Sequence, residues 1–122
     1  MATVSALRLL NLIRDNRDGF TIYRDGSKAN IDGLYIVGGE IPALKLPATL
    51  LSRKLIFECL ENWIAKLPNS VAAIGGWMDE GTYYIDAVAL MSTLDGALYY
   101  GRLWEQLAIY DGTANKTVYI ND

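Results

Sequence analysis

The stretch Val71-Ala-Ala-Ile-Gly-Gly-Trp-Met-Asp-Glu-Gly-Thr-Tyr-Tyr-Ile-Asp-Ala-Val88 decides how the rest of the chain is read. Two apolar and aromatic runs flank Asp79-Glu80-Gly81, an acidic turn ending in glycine, and this pattern predicts an antiparallel hairpin reaching to residue 90. Two features do not suit a strand. Gly75-Gly76 has no side chain to pack, and Asp86 brings a charge. Strand side chains alternate, so Asp86 shares a face with Tyr84, Val88 and Leu90. A carboxylate in apolar surroundings must be paired, hydrogen-bonded or neutralised. Asp86 is therefore read either as a structural acceptor, for a loop amide or an arginine such as Arg102, or as a group with a ligand-binding or catalytic role. The paired glycines are read as a bulge, or as room for Trp63 or Trp104.

On the N-terminal side of this hairpin, the strongest helical periodicity spans about 48–66. Leu51, Leu55, Ile56, Cys59, Leu60, Trp63 and Ile64 share one face, Lys54 and Glu58 stand four apart, and Pro68-Asn69 ends the run. Before it, Glu40-Ile-Pro-Ala-Leu-Lys-Leu-Pro47 carries two prolines and reads as an extended connector. Phe20–Arg24 and Gly33–Gly38 read as strands that pair with each other across a polar, exposed loop at 25–32. Val4, Leu7, Leu10 and Ile13 predict an opening helix over 4–14. On the C-terminal side, Ser92-Thr-Leu-Asp95 resembles a capping box, and a stripe from Leu94 to Leu107 predicts a helix. Leu107–Asp111 and Lys116–Ile120 then form a second hairpin around Gly112-Thr-Ala-Asn115.

Pairs of strands separated by single helices predict an α+β fold, a mainly antiparallel sheet packed by two to three helices. The length of 122 residues fits a single domain spanning 1–122. Ile36-Val-Gly-Gly-Glu and Ile74-Gly-Gly-Trp are alike, but nothing else repeats.

Composition removes several chemistries. The chain has no histidine, which takes away the commonest general base and metal ligand, and with a single cysteine a structural zinc site has no ligand set. Neither Gly-Gly continues into a phosphate loop. We therefore expect no catalytic residues, no metal and no cofactor, and a protein that is not an enzyme. Cys59 cannot make an internal disulfide and reads as a small buried hydrophobe. Eleven scattered Lys and Arg in a chain of net charge −3 form no basic stripe, so no direct nucleic-acid contact is expected. No stretch has the length and apolarity of a signal peptide or membrane span, so the expected location is the cytoplasm.

Aromatic residues gather around the central hairpin and the helix after it. Tyr and Trp combine large buried area with a polar tip and favour interfaces. The expected binding surface comprises Gly75, Gly76, Trp77, Tyr84, Asp86 and Tyr100, while Asp79 and Glu80 are assigned to a solvated turn.

Gly-Leu-Tyr-Ile-Val-Gly-Gly-Glu-Ile-Pro-Ala-Leu (33–44), Ile-Gly-Gly-Trp-Met-Asp-Glu-Gly-Thr-Tyr-Tyr-Ile-Asp-Ala-Val (74–88) and Gly-Arg-Leu-Trp-Glu-Gln-Leu-Ala-Ile-Tyr-Asp (101–111) together resemble short accessory proteins encoded by bacteriophages and other mobile elements. Where that group has a residue such as Asn before the glutamine of the third motif, this chain has Glu105. The resemblance implies no activity. It implies a phage or plasmid accessory protein acting in the host cytoplasm. The leading expectation is a non-enzymatic protein that binds a host or viral protein and forms a homo-oligomer. The alternative is a protein that binds or sequesters a small ligand, a nucleotide-like metabolite, near Gly75, Gly76, Trp77 and Asp86.

Overall fold

A computed structural model of the chain describes residues 2–47 and 52–120. Along the chain run α1 (Ala6–Asp15), β1 (Phe20–Tyr23), β2 (Tyr35–Gly38), β3 (Leu44–Pro47), α2 (Arg53–Ala65), β4 (Ala73–Asp79), β5 (Thr82–Met91), α3 (Leu94–Leu103), β6 (Ala108–Asp111) and β7 (Lys116–Tyr119). The seven strands form one antiparallel sheet in the order β1-β4-β5-β2-β6-β7, with β3 also on β5. The architecture is thus α+β, as the pattern of elements predicts.

Strand β5 organises the sheet. One edge pairs with β4 in the expected hairpin, from Ala73↔Val88 to Asp79↔Thr82. The other edge is shared: β3 takes Thr82 to Ile85 and β2 takes Val88 to Met91. Opposite Asp86 and Ala87 neither strand continues, because the chain detours through Gly39–Ala43.

Two expected pairings differ. Strands β1 and β2 do not meet; β1 lies on β4, and β2 lies between β5 and β6. The loop between them folds back on β1 instead of projecting. Lys28 bridges to Ile22, the Ala29 amide donates to the Thr21 carbonyl at 3.1 Å, and Ala29 is buried. The 40–47 connector also ends in a strand. Pro47 closes β3, and β3 is a side strand bonded along one edge, where a missing N–H is tolerated.

All three helices cover the same sheet face. Ser5 caps α1 by accepting the Arg8 amide at 3.1 Å, and Leu9, Leu10 and Leu12 bury its inner stripe. Leu60 and Trp63 of α2 join them over Ile22, Leu46, Ile74, Tyr83 and Ile85. Burial of each such side chain contributes roughly 1.5–3 kcal/mol. Helix α2 starts at Arg53, after the Ser52 cap, so the expected residues 48–51, Leu51 among them, lie outside the described part. Leu55, placed by periodicity on the inner stripe, is exposed, and Lys54 and Glu58 form no ion pair. Cys59 is half-buried against the core. Helix α3 packs Ala97 on Val37 and Ile109. Its cap is Thr93, one residue after the expected Ser92, accepting the Gly96 amide at 3.1 Å.

Helix α3 ends earlier than the apolar stripe predicts. Glu105 takes a left-handed φ of 55°, and the Gln106 amide turns back to donate to the Gly101 carbonyl at 2.8 Å. This closure directs residues 106–111 off the helix and into β6 beside β2.

Candidate functional site

The opposite sheet face carries no helix. Its outward side chains fall in rows across the strands. Lys45, Tyr84 and Trp77 form one row; Asp86, Gly75 and Thr21 the next; Gly38, Val88, Ala73 and Tyr23 the third; Tyr110, Ile36 and Leu90 the fourth. Rows are about 7 Å apart, two strand residues. The two middle rows hold Gly75, Gly38 and Ala73, while the outer rows hold Trp77, Tyr84 and Tyr110. The result is a groove of about 520 Å³ with glycine in its floor and Trp77 and Tyr110 among its lining residues. On this same face Val88, Ala73 and Ile36 are buried against Ile31, Leu90 and Tyr110.

The consecutive glycines serve opposite faces. A Cβ on Gly76 would point at the helices, 2.5 Å from Phe20 Cε1 and 3.0 Å from Tyr83 Cε1, so this position makes room for two stacked rings. A Cβ on Gly75 would point into the groove, 3.2 Å from Val88 Cγ1. The register through both is continuous. The pair is therefore neither a bulge nor a space for Trp63 or Trp104. Its neighbours are Phe20 and Tyr83 on one side and open groove on the other. Gly38, the counterpart in the first Gly-Gly, lies against Asp86, where an added Cβ would meet Cγ and Oδ2 at 3.4 Å. Gly39 takes a φ of 96° with the Gln106 side chain packed against it. Gly38, Gly75 and Gly76 thus line one groove, and Gly39 packs on Gln106, another of its lining residues.

Asp86 stands in the floor between Gly75 and Gly38. It is half-buried, and burial pushes its carboxyl above the ordinary carboxylate value, opposed by the indole N–H of Trp77. Arg102 does not pair with it, since α3 covers the other face. The ion pair among the described residues, Arg14–Asp15, lies at the end of α1. Trp77 stacks on Tyr84 with ring centroids 4.7 Å apart and an interplanar angle of 18°, and Lys45 Nζ stands 6.0 Å from the Tyr84 centroid.

Five of the six expected surface residues therefore belong to one region. Gly75, Trp77 and Asp86 line the groove directly, Gly76 contributes backbone, and Tyr84 supports Trp77 from the neighbouring strand. Tyr100 is elsewhere: it is exposed on α3 against Tyr99 and Trp104, with centroids 5.2 Å from each. Alternation had no means of separating it, because the face α3 covers is a tertiary fact. Sequence reading missed Thr21, Gly38, Gln106 and Tyr110. Gly38 carries a signal in its Gly-Gly pair, and Gln106 and Tyr110 stand in the 101–111 motif; Thr21 carries none.

Among the described residues no group of three or more Asp, Glu or Cys is gathered to hold a metal ion, and no helix is long and apolar enough to cross a membrane. No protein-family model matches the chain, and neither the curated proteins nor the solved structures contain a match to it.

Proposed function

We propose that the chain is a non-enzymatic binding protein whose ligand is a small aromatic molecule lying in the groove on the uncovered sheet face. The observation that carries this reading is the floor: two glycines from different strands, Gly38 and Gly75, flank a half-buried carboxylate, with Trp77 beside it. Ligand sites are concave and largely apolar with a few polar groups that fix orientation, and Asp86, Thr21 and Gln106 fill that role here. A nucleoside base has the right size for the two middle rows. A ligand bound to the native state alone must raise the melting temperature. Thermal unfolding against a panel of nucleosides, free bases and aromatic amines should show such a rise, lost in Gly75→Leu. A panel without any rise would sink the reading.

A second reading, accessory binding to a host or viral protein, is favoured by a separate observation. Tyr99 and Leu103 of α3, Leu107 after it and Tyr119 of β7 are exposed, Leu107 by 84% and Tyr119 by 72%. Exposed apolar groups of this size often mark protein contacts. Affinity capture with the unaltered chain and with Leu103→Asp/Leu107→Asp discriminates: a partner retained equally by both is not held by these residues.

A further inference from the structure

Resting on the groove reading above, we infer that the ligand is a planar organic cation, of the amidinium, guanidinium or aminopyridinium type, whose N–H donors meet the Asp86 carboxylate and whose ring lies over Gly38 and Gly75.

Charge complementarity decides between ligand classes. The residues lining the groove include two carboxylates, Asp18 and Asp86, and neither lysine nor arginine. Lys45 stands on the far side of Tyr84, at the end of the Lys45–Tyr84–Trp77 row. A phosphate or carboxylate in the groove would meet its own sign of charge with nothing to offset it. A neutral ring can bring N–H donors but leaves the Asp86 charge desolvated without a counter-charge. A cation with in-plane N–H groups supplies the missing charge and the missing donors together, and charge-assisted hydrogen bonds are the stronger kind.

Shape points the same way. Gly75 is the cross-strand neighbour of Asp86, and a Cβ on Gly38 would touch its carboxylate, so the floor on both sides of Asp86 is bare backbone. A bulky tetrahedral cation would contact little of that floor, whereas a flat ring would cover it. Trp77, half exposed and next to Asp86 on the same face, offers an aromatic surface favourable to a cation. The Gln106 carboxamide and the Thr21 hydroxyl remain for further N–H or acceptor groups at the ligand edge.

Three probes sharing one ring separate the charge from the shape: benzamidine, which is cationic at neutral pH, benzamide, which is neutral, and benzoate, which is anionic. Binding to the full chain is followed by amide and indole chemical shifts in two-dimensional NMR. Benzamidine is expected to shift Gly38, Gly75, Asp86 and the Trp77 indole, and to bind about tenfold more tightly than benzamide, as a hydrogen bond to a charged partner is worth. Benzoate should leave these signals in place. Asp86→Asn should bring benzamidine down to the benzamide level. Gly38→Ala, whose methyl would meet the carboxylate, should weaken it too without unfolding the chain. Equal binding of benzamidine and benzamide, tighter binding of benzoate, or unchanged binding in Asp86→Asn would overturn the cation assignment while leaving the groove as a ligand site. If none of the three probes moves groove signals, both readings fall. Concentration-dependent shifts at the same residues without any probe would assign the face to a second copy of the chain and likewise overturn the proposal.

Discussion

Gly75 and Asp86 face each other across the β4–β5 ladder, so the residue without a side chain is the direct neighbour of the one charged side chain in the groove floor of that hairpin. The absence of a side chain at 75 keeps the carboxylate at 86 open to the groove from the β4 side. Gly76, one residue on, has a separate task on the helix side. The two positions are therefore expected to respond differently to the same methyl group.

Gly76→Ala places a Cβ 2.5 Å from the Phe20 ring and should lower stability by about 2–3 kcal/mol through overpacking. Gly75→Ala meets Val88 Cγ1 at 3.2 Å and the Phe20 carbonyl oxygen at an ordinary 3.8 Å, and should cost about 1 kcal/mol or less. Chemical denaturation of the two variants checks the contrast; equal losses would mean that the faces have been assigned wrongly.

Asp86 should make stability depend on pH in a definite direction. Its folded-state value is raised by burial, so between the ordinary value of 3.8 and that raised value the folded chain keeps a proton the unfolded chain has lost. Stability therefore falls as pH rises through this window, and the full cost of the buried charge is present above it. Denaturation midpoints of the native chain and Asp86→Asn should converge at the acidic end and separate, with the variant more stable, toward neutral pH. A variant that is less stable at neutral pH would show that the carboxylate has a stabilising partner.

How much of this was legible in the sequence differs by element. The hairpin of β4 and β5 and the four-residue turn before β7 follow from alternation and turn chemistry alone. Asp86 stood out because alternation put it among apolar neighbours. Neighbour relations between distant strands left no such mark. The pairing of β1 with β4 explains Gly76, since Phe20 is its cross-strand partner, and nothing local to either segment records that pairing. Gly38 and Asp86 meet only because β2 ends beside β5 where β3 has yet to begin. Sequence proximity places Tyr100 with the hairpin aromatics, but α3 covers the opposite side of the sheet and carries Tyr100 away from the groove.

Tyr83 governs the alkaline limb. Its ring is almost wholly buried, its hydroxyl donates to the Asn16 carbonyl at 2.9 Å, and burial pushes the phenol up to about 12. The unfolded chain ionises Tyr83 near 10, so stability should fall as pH rises from about 10 to about 12. Tyr83→Phe should flatten that part of the profile while costing about 1 kcal/mol at neutral pH for the unpaired carbonyl. Absorbance at 295 nm during an alkaline titration should show one tyrosine ionising last, and lose it in the variant.

Glu105 occupies the left-handed position that closes α3, a conformation that disfavours residues with a Cβ. Glu105→Gly should raise stability by about 1 kcal/mol and Glu105→Asn by somewhat less, with groove binding preserved because Gln106 keeps its place. Thermal unfolding measures the gain, and a loss in both variants would place the Glu105 side chain in a contact that outweighs the backbone relief.

The pairing of β5 with three other strands also orders the events of synthesis. None of β1, β2 and β3 bonds to another of the three; each waits for β4 or β5, which leave the ribosome after α2. The first half of a nascent chain therefore has helices but no sheet to lay them on. Contacts of such long sequence separation slow folding. The emergence of residues 73–91 is the moment at which five strands, β1 to β5, acquire partners together, and the core beneath α1 and α2 closes only then.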